Sequence, residues 1–373
     1  MKIRMDRTLK VVGTAVATAT AAAAFVVAPV ADAAPTGYTF TVSSAQGGVD
    51  SGSELALDSG RNELFITDNN SYLATKGGTD FQIKTDPIDP KVSVFDTVTR
   101  RPVRSIKYAA QPLGVMVVGP VPLIPIAQVP DGIALDTKRG RVLTTNSHAN
   151  GITIVGMNER AATARNLISV PGSHPMGITV NPGNGLAYVA LNYINQLALI
   201  DTNARREVGR IPTFAPSIID LDVKRHRLYI GNADNAKKTN YVAVLDTRTN
   251  KIIKRISTPA NSRPEVDPVT GRVYAASFDT GKVSVIDPQT LTVVKTIETK
   301  GSPNKLAIDA ERRLLYLSNL QKRSLTIIDL TTERVIKTLP VNGPIHSIVV
   351  DQKTGTLYGT QHQSGTLTIV KVS

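Results

Sequence analysis

Four side chains able to bind a cation or move a proton stand at matched points of a repeated phrase in this 373-residue chain: Asp131, Glu265, Asn304 and His346. The phrase is an apolar segment with a proline near its start in most copies and a carboxylate or Asn at its end. Five residues before that end the copies read Ser53, Asp131, Met176, Ser217, Asn304 and His346, with Glu265 assigned from its own Pro264. Arranged radially, these residues would form one ring. Carboxylate and amide oxygens with one imidazole suit a divalent cation, so Asp131, Glu265 and His346 are candidate metal ligands. The alternative is a polar rim that merely holds water. His148, His174 and His362 fall in segments assigned to the same face as the ring, whereas His226 maps to the opposite one. His346 or His148 could then serve as the base of a metal-assisted hydrolase, lactonase or lyase. Nucleophilic catalysis has no support, because the chain has no Gly-x-Ser-x-Gly turn, no phosphate-cradling Gly-x-x-x-x-Gly-Lys loop and no Cys.

A second group of residues carries charge. Formal net charge is +13, and Lys138, Arg139, Lys224, Arg225, Arg312 and Arg313 all lie in turns that map to the face opposite the ring. Such a face favours a polyanion, whether nucleic acid, an envelope polymer or acidic lipid headgroups. No aromatic residues are interleaved with these bases, as stacking on single strands would need. Lys and Arg on outer strands also keep sheet edges soluble and unpaired.

The elements that would position both groups are written in the spacing. Seven times the chain repeats an apolar run ending in a carboxylate or Asn, a polar turn, then an apolar–aromatic–apolar run, as in Leu55–Asp58 followed by Leu64–Thr67. The phrase recurs at Asp136/Leu143, Asn181/Tyr188, Asp222/Tyr229, Asp267/Tyr274, Asp309/Tyr316 and Asp351/Tyr358, with steps of 45, 41, 45, 42 and 42 residues from Leu143 onward. A period in the forties built of short strands predicts a β-propeller, one blade per repeat. Second halves such as Val283–Asp287 with Thr292–Ile297 complete four antiparallel strands per blade. The fold class is therefore all-β, a seven-bladed propeller of four-stranded antiparallel blades. The last repeat supplies only three strands, and Tyr38–Val42 has the alternation to complete it and close the ring.

The phrase Leu315-Tyr316-Leu317-Ser318-Asn319, followed by Thr326-Ile327-Ile328-Asp329, resembles the YVTN family of β-propellers. The resemblance covers roughly residues 53 to 373, although repeats one and two lack the Tyr and repeat five is short. It implies the propeller fold and an exported or surface-associated protein, and it brings no shared catalytic motif. The absence of Trp excludes WD repeats, and paired glycines only at Gly47-Gly48 and Gly77-Gly78 disfavour kelch repeats.

Residues 1–33 read as a signal peptide: four bases, an Ala/Val-rich run from Val11 to Val30, then Ala31-Asp32-Ala33. A membrane anchor is the competing reading of that run. Its removal takes away four bases and two acids and leaves a net charge of +11 on residues 34–373. That span is expected to form a single domain without a transmembrane segment, secreted, extracellular or attached to the cell envelope, and monomeric. Insertions at 69–91 and 107–128 break the spacing on the ring's face. The second is apolar and proline-rich, and so is either a lid or a docking surface. The expectation is a binding protein rather than an enzyme, contacting a small molecule, a protein or an envelope component at the ring, with a divalent cation as the one cofactor the rim suggests. The rivals are the metal-assisted enzyme and a polyanion-binding envelope scaffold.

Overall fold

Each copy of the phrase folds as one antiparallel sheet, and seven sheets stand around a common axis. The structure, a computed structural model, describes residues 37–68, 73–76, 80–83, 89–108, 114–118, 121–126, 129–232, 240–361 and 364–373, of which 73–76, 80–83, 114–118 and 121–126 are described by backbone alone. The leader at 1–33 lies outside the described residues. Inner strands of the blades are Gly52–Asp58, Ile133–Asp136, Pro175–Asn181, Pro216–Asp222, Ser262–Val266, Pro303–Asp309 and Ile345–Asp351. Each touches the next, and the seventh touches the first, so the ring is closed.

Closure is made by the amino-terminal strand. Phe40–Gln46 pairs antiparallel with Thr366–Val372, Phe40 opposite Val372 and Gln46 opposite Thr366. Thr39 and Ser373 extend the ladder with reciprocal backbone hydrogen bonds of 2.7 and 3.0 Å. The strand begins two residues later than the alternation from Tyr38 suggests and runs on to Gln46, because Ala45 still packs into the core between blades seven and one.

The aromatic of the phrase explains the core. Tyr188, Tyr229, Tyr274 and Tyr316 are fully buried in second strands, as is Phe65 in blade one, each wedged between its own sheet and a neighbour. The Asn that ends the second strand has a separate task. Asn146 donates through Nδ2 to Thr153 Oγ1 at 2.9 Å, Asn319 to Thr326 Oγ1 at 2.9 Å, and Gln361 through Nε2 to Thr368 Oγ1 at 2.8 Å. A buried amide thus ties the second strand to the third where their loop leaves the ladder.

Fourth strands are protected as edges. In blades one, three, four and five a bulge near their start leaves Val103, Val208, Ile253 and Val294 without a cross-strand partner and exposed, while the aliphatic residue three places on is buried. The bulge twists the edge away from further pairing. Blade one is also covered by Ala161–Ala162, which pairs parallel to Arg101–Tyr108. Each insertion contains a backbone hairpin, Leu73–Lys76 with Asp80–Ile83 and Gly114–Val118 with Val121–Ile126. The choice between lid and docking surface falls on side chains outside the described ones. Among the described residues no helix is long and apolar enough to cross a membrane.

Candidate functional site

Counting back from the carboxylate or Asn that closes each inner strand sorts the channel residues into layers. Two places back stand Ala56, Ala134, Thr179, Asp220, Glu265, Ala307 and Val349, each paired with the aromatic or Leu of the second strand. Four places back are Glu54, Gly132, Gly177, Ile218, Arg263, Lys305 and Ser347, and five places back Ser53, Asp131, Met176, Ser217, Ser262, Asn304 and His346. Asp131, Asn304 and His346 therefore share the rim, as their spacing indicates, and Glu265 does not. The inner strand of blade five carries no bulge, so Pro264 lies within the paired strand opposite Ala275 instead of at its start. Glu265 is displaced to the deeper layer, beside Asp220.

The mouth encloses a cavity of about 330 Å³ with two unlike walls. Ile133, Met176, Ile178, Ile218 and Ile219 of blades two to four form the apolar wall. Facing them, blades five, six, seven and one contribute Arg263, Asn304, Lys305, His346 and Glu54. Lys305 Nζ lies 2.6 Å from Glu54 Oε2, and Ser347 Oγ donates to the same oxygen at 2.9 Å. Burial alone would raise the Glu54 carboxyl, but Lys305, His346 and the Ser347 hydroxyl hold it below the ordinary glutamate range. His346 is pushed down by burial, with Lys305 and Arg263 adding to the effect against Glu54 and Asp131. Asn304 donates through Nδ2 to the His346 carbonyl at 2.6 Å and accepts from Arg263 Nη1 at Oδ1, 2.7 Å.

Asp131 is fixed from two sides, Ser53 Oγ donating to Oδ1 and Ser147 Oγ to Oδ2, both at 2.8 Å. Deeper in the channel, burial first and Asp220 second push the Glu265 carboxyl well above its ordinary range, with Lys305 opposing. Asp220 is raised too, chiefly by burial, although it accepts from the backbone N–H groups of Val266 and Leu221 at 2.7 and 2.8 Å. Among the described residues no group of three His, Asp or Glu side chains is placed to hold one metal ion. Asp131 and His346 share the rim layer, and Glu265 lies in a deeper one.

Beside Asp131, on the border of blades two and three, His148 and His174 meet edge to face with ring centroids 5.7 Å apart. His174 stacks on Tyr193 at 4.4 Å, and Tyr193 is 68% exposed. His174 has φ of 45°, a left-handed conformation secured by its N–H donating to Asn150 Oδ1 at 2.9 Å. Burial, aided by His148, lowers its imidazole. His148 and His174 are thus brought together as the histidine count suggests. His346 stands apart on the polar wall, and His362 lies outside the described residues. Sequence reasoning misses Tyr193, Glu54, Arg263 and Lys305. The last three stand one residue further along the inner strand than the ring that was compared, so reading the next column of the same alignment would have found them.

The basic face reads differently in three dimensions. Arg139, Arg225 and Arg312 each pair with the closing carboxylate of their own blade, Asp136, Asp222 and Asp309, at 3.3, 3.0 and 3.2 Å. Each guanidinium also lies over a turn glycine of the next blade, Gly185, Gly271 and Gly355, where φ is positive and a Cβ would collide with it. Arg225 further donates to the Thr270 carbonyl at 2.8 Å. Arg313 forms a two-pronged pair with Asp267 of the preceding blade at 2.9 and 2.7 Å. An Arg turn thus alternates with a Gly turn around this face and ties blades two to three, four to five and six to seven. Lys224 reaches the Pro268 carbonyl at 3.0 Å, and Lys138 is exposed.

No family model matches the chain. It is 29% identical over 192 residues to the uncharacterized protein YncE of Salmonella typhimurium and to that of Salmonella typhi, a segment that takes in 51% of this chain and 42% of each relative. The match spans less than half the length of these curated relatives. Among solved structures it is similar to Kuenenia stuttgartiensis hydrazine synthase, with a TM-score of 0.68 and 14% identity over 88% of this chain and 97% of that one. It is likewise similar to the Myceliophteria thermophila Cps50 (Swd1) β-propeller domain, with a TM-score of 0.66 and 12% identity over 87% and 97%. At these identities the likeness is one of fold.

Proposed function

We propose that the chain is an exported binding protein that takes a small molecule into the mouth of its channel. One observation carries this reading: the mouth is a preformed cavity with an apolar wall facing a polar one whose side chains are already held by each other, Glu54 by Lys305 and Ser347, and Asn304 by Arg263. Such concave sites, mostly apolar with a few oriented polar groups, are where small ligands bind. The leader-like residues 1–33 support export. Binding is preferred to metal-assisted hydrolysis because among the described residues no three His, Asp or Glu side chains are grouped to hold a metal ion and Glu265 lies a layer away. It is preferred to a polyanion-binding scaffold because four of the six bases named for that role are committed to carboxylates inside the ring.

The test is a thermal-shift screen of the purified protein against a chemically diverse small-molecule set, run beside Ile218→Trp, which fills the mouth. Hits that raise the melting temperature of the native protein and not of Ile218→Trp support the reading. Hits that act equally on both would remove the mouth from consideration.

A further inference from the structure

We propose that the ligand of the mouth is a monoanionic organic acid whose carboxylate is received by Arg263; this rests on the reading of the mouth as a small-molecule site. Arg263 is the second residue of the inner strand of blade five and is half-buried. Its Nη1 donates to the side-chain and backbone oxygens of Asn304, both neutral acceptors, and its plane lies over the Phe278 ring at 5.5 Å from the centroid. None of the ion pairs among the described residues includes it, and Nε and Nη2 donate to no protein acceptor among them. The neighbouring carboxylate that might have served, Glu54, is already taken by Lys305. Partial burial depresses its proton affinity, with Glu54 and Asp279 offsetting this only from a distance, and an anion bound directly to it would oppose that shift.

Arg263 also stands where two cavities meet. It lines the mouth and an adjoining cavity of about 310 Å³ shared with Phe278, Asn261 and Asp279. With Nη1 engaged by Asn304, the Nε and Nη2 edge of the guanidinium offers two parallel donors, the geometry a carboxylate accepts best. Charge sets the valence of the guest. Glu54, Asp131 and Asp279 line the two cavities beside Arg263, so a second negative charge on the guest would be repelled. Met176 and Ile218 line both cavities and give the acid an apolar body to rest on.

Calorimetric titration of the intact protein with hexanoate, benzoate and phenylacetate, each beside its neutral amide, and with hexylamine and inorganic phosphate, tests the assignment. Carboxylates are expected to bind roughly tenfold or more tighter than their amides. Arg263→Gln should abolish that preference and Arg263→Lys retain part of it, both variants being checked for an unchanged circular dichroism spectrum and a cooperative melt. Amides or hexylamine binding as well as the acids, and displaced by Ile218→Trp, would overturn the organic-acid assignment and leave the mouth as a ligand site. Phosphate binding without carboxylates, no binding by any probe, or a carboxylate preference that persists in Arg263→Gln would likewise overturn it.

Discussion

Ring closure by the amino-terminal strand can be tested with two neighbouring prolines. Thr39 and Ser373 exchange both backbone hydrogen bonds, and in an antiparallel ladder such pairs alternate with non-bonded ones. Thr41, Ser43 and Ala45 therefore bond inward to Lys371, Ile369 and Leu367, whereas Val42 and Ser44 turn their N–H groups to the open edge. Gly47 N donating to Gly365 O at 2.9 Å confirms the parity at the far end. Ser43→Pro removes one ladder donor and leaves the carbonyl of the buried Ile369 unmet, a cost of about 1–3 kcal/mol. Ring strain against the partner strand adds to it, for a total of about 2–4 kcal/mol. Ser44→Pro makes the same chemical change one residue along, where no donor is used, and should fall within about 0.5 kcal/mol of the native protein. Urea unfolding with a common m-value, together with amide exchange across Thr366–Val372, reads the difference. Melting temperature should fall by roughly 3–6 °C for Ser43→Pro alone. Equal effects of the two prolines, or none from either, would mean that this strand does not close the ring.

Three further outcomes follow from particular contacts. Glu265 keeps a proton in the folded channel that the unfolded chain releases, so this source of stability is complete below the ordinary glutamate value of 4.5 and declines as pH rises above it. Glu265→Gln should accordingly raise the melting temperature at pH 7 to 8 and lose that advantage on titration to pH 4; a variant no more stable at neutral pH would refute the buried neutral acid. Arg313→Ala strands the fully buried Asp267, leaving it only the Val269 N–H and the Thr270 hydroxyl, and should cost about 2–4 kcal/mol in denaturant melts, while Lys138→Ala at an exposed site should cost less than about 0.5 kcal/mol. Asn319→Ala should destabilise by about 1–3 kcal/mol, and a double-mutant cycle with Thr326→Val should return a coupling near ~1 kcal/mol; additive losses would show that the amide does not act through that hydroxyl.

The repeat was legible because the fold asks the same thing of each blade. A buried aromatic such as Tyr316, an amide such as Asn319 and an apolar third strand answer local demands that recur every blade, so they surface as periodic letters. Closure was legible for a related reason: a last repeat one strand short must borrow its partner, and the residues around Phe40 carry the alternation of such a strand. What did not surface was whatever depends on two blades at once. The basic pairs looked like a charged face because each is read within its own turn, whereas Arg139, Arg225 and Arg312 are explained by glycines some forty residues downstream in the next blade. The signal was present in the alternation of Arg and Gly at successive turns, and it becomes interpretable only when adjacent copies are set side by side.

The same distinction decides what the channel mouth can do. A rim of Asp131, Asn304 and His346 was visible as one column of the repeat, and columns are what suggest metals, since identical positions in a ring converge on the axis. Yet a propeller channel is a twisted funnel, and a residue one step further along the strand reaches across to other blades. Glu54 of blade one accepts from Lys305 of blade six and Ser347 of blade seven, and Arg263 of blade five reaches Asn304 of blade six. These crossings pair Glu54 with Lys305, while among the described residues no ion pair includes Arg263, which lines the same cavity as the apolar wall. Identical positions converge on the axis, where a cation site would form; the departures from symmetry at Glu54, Arg263 and Lys305 are what the proposed off-axis anion site rests on.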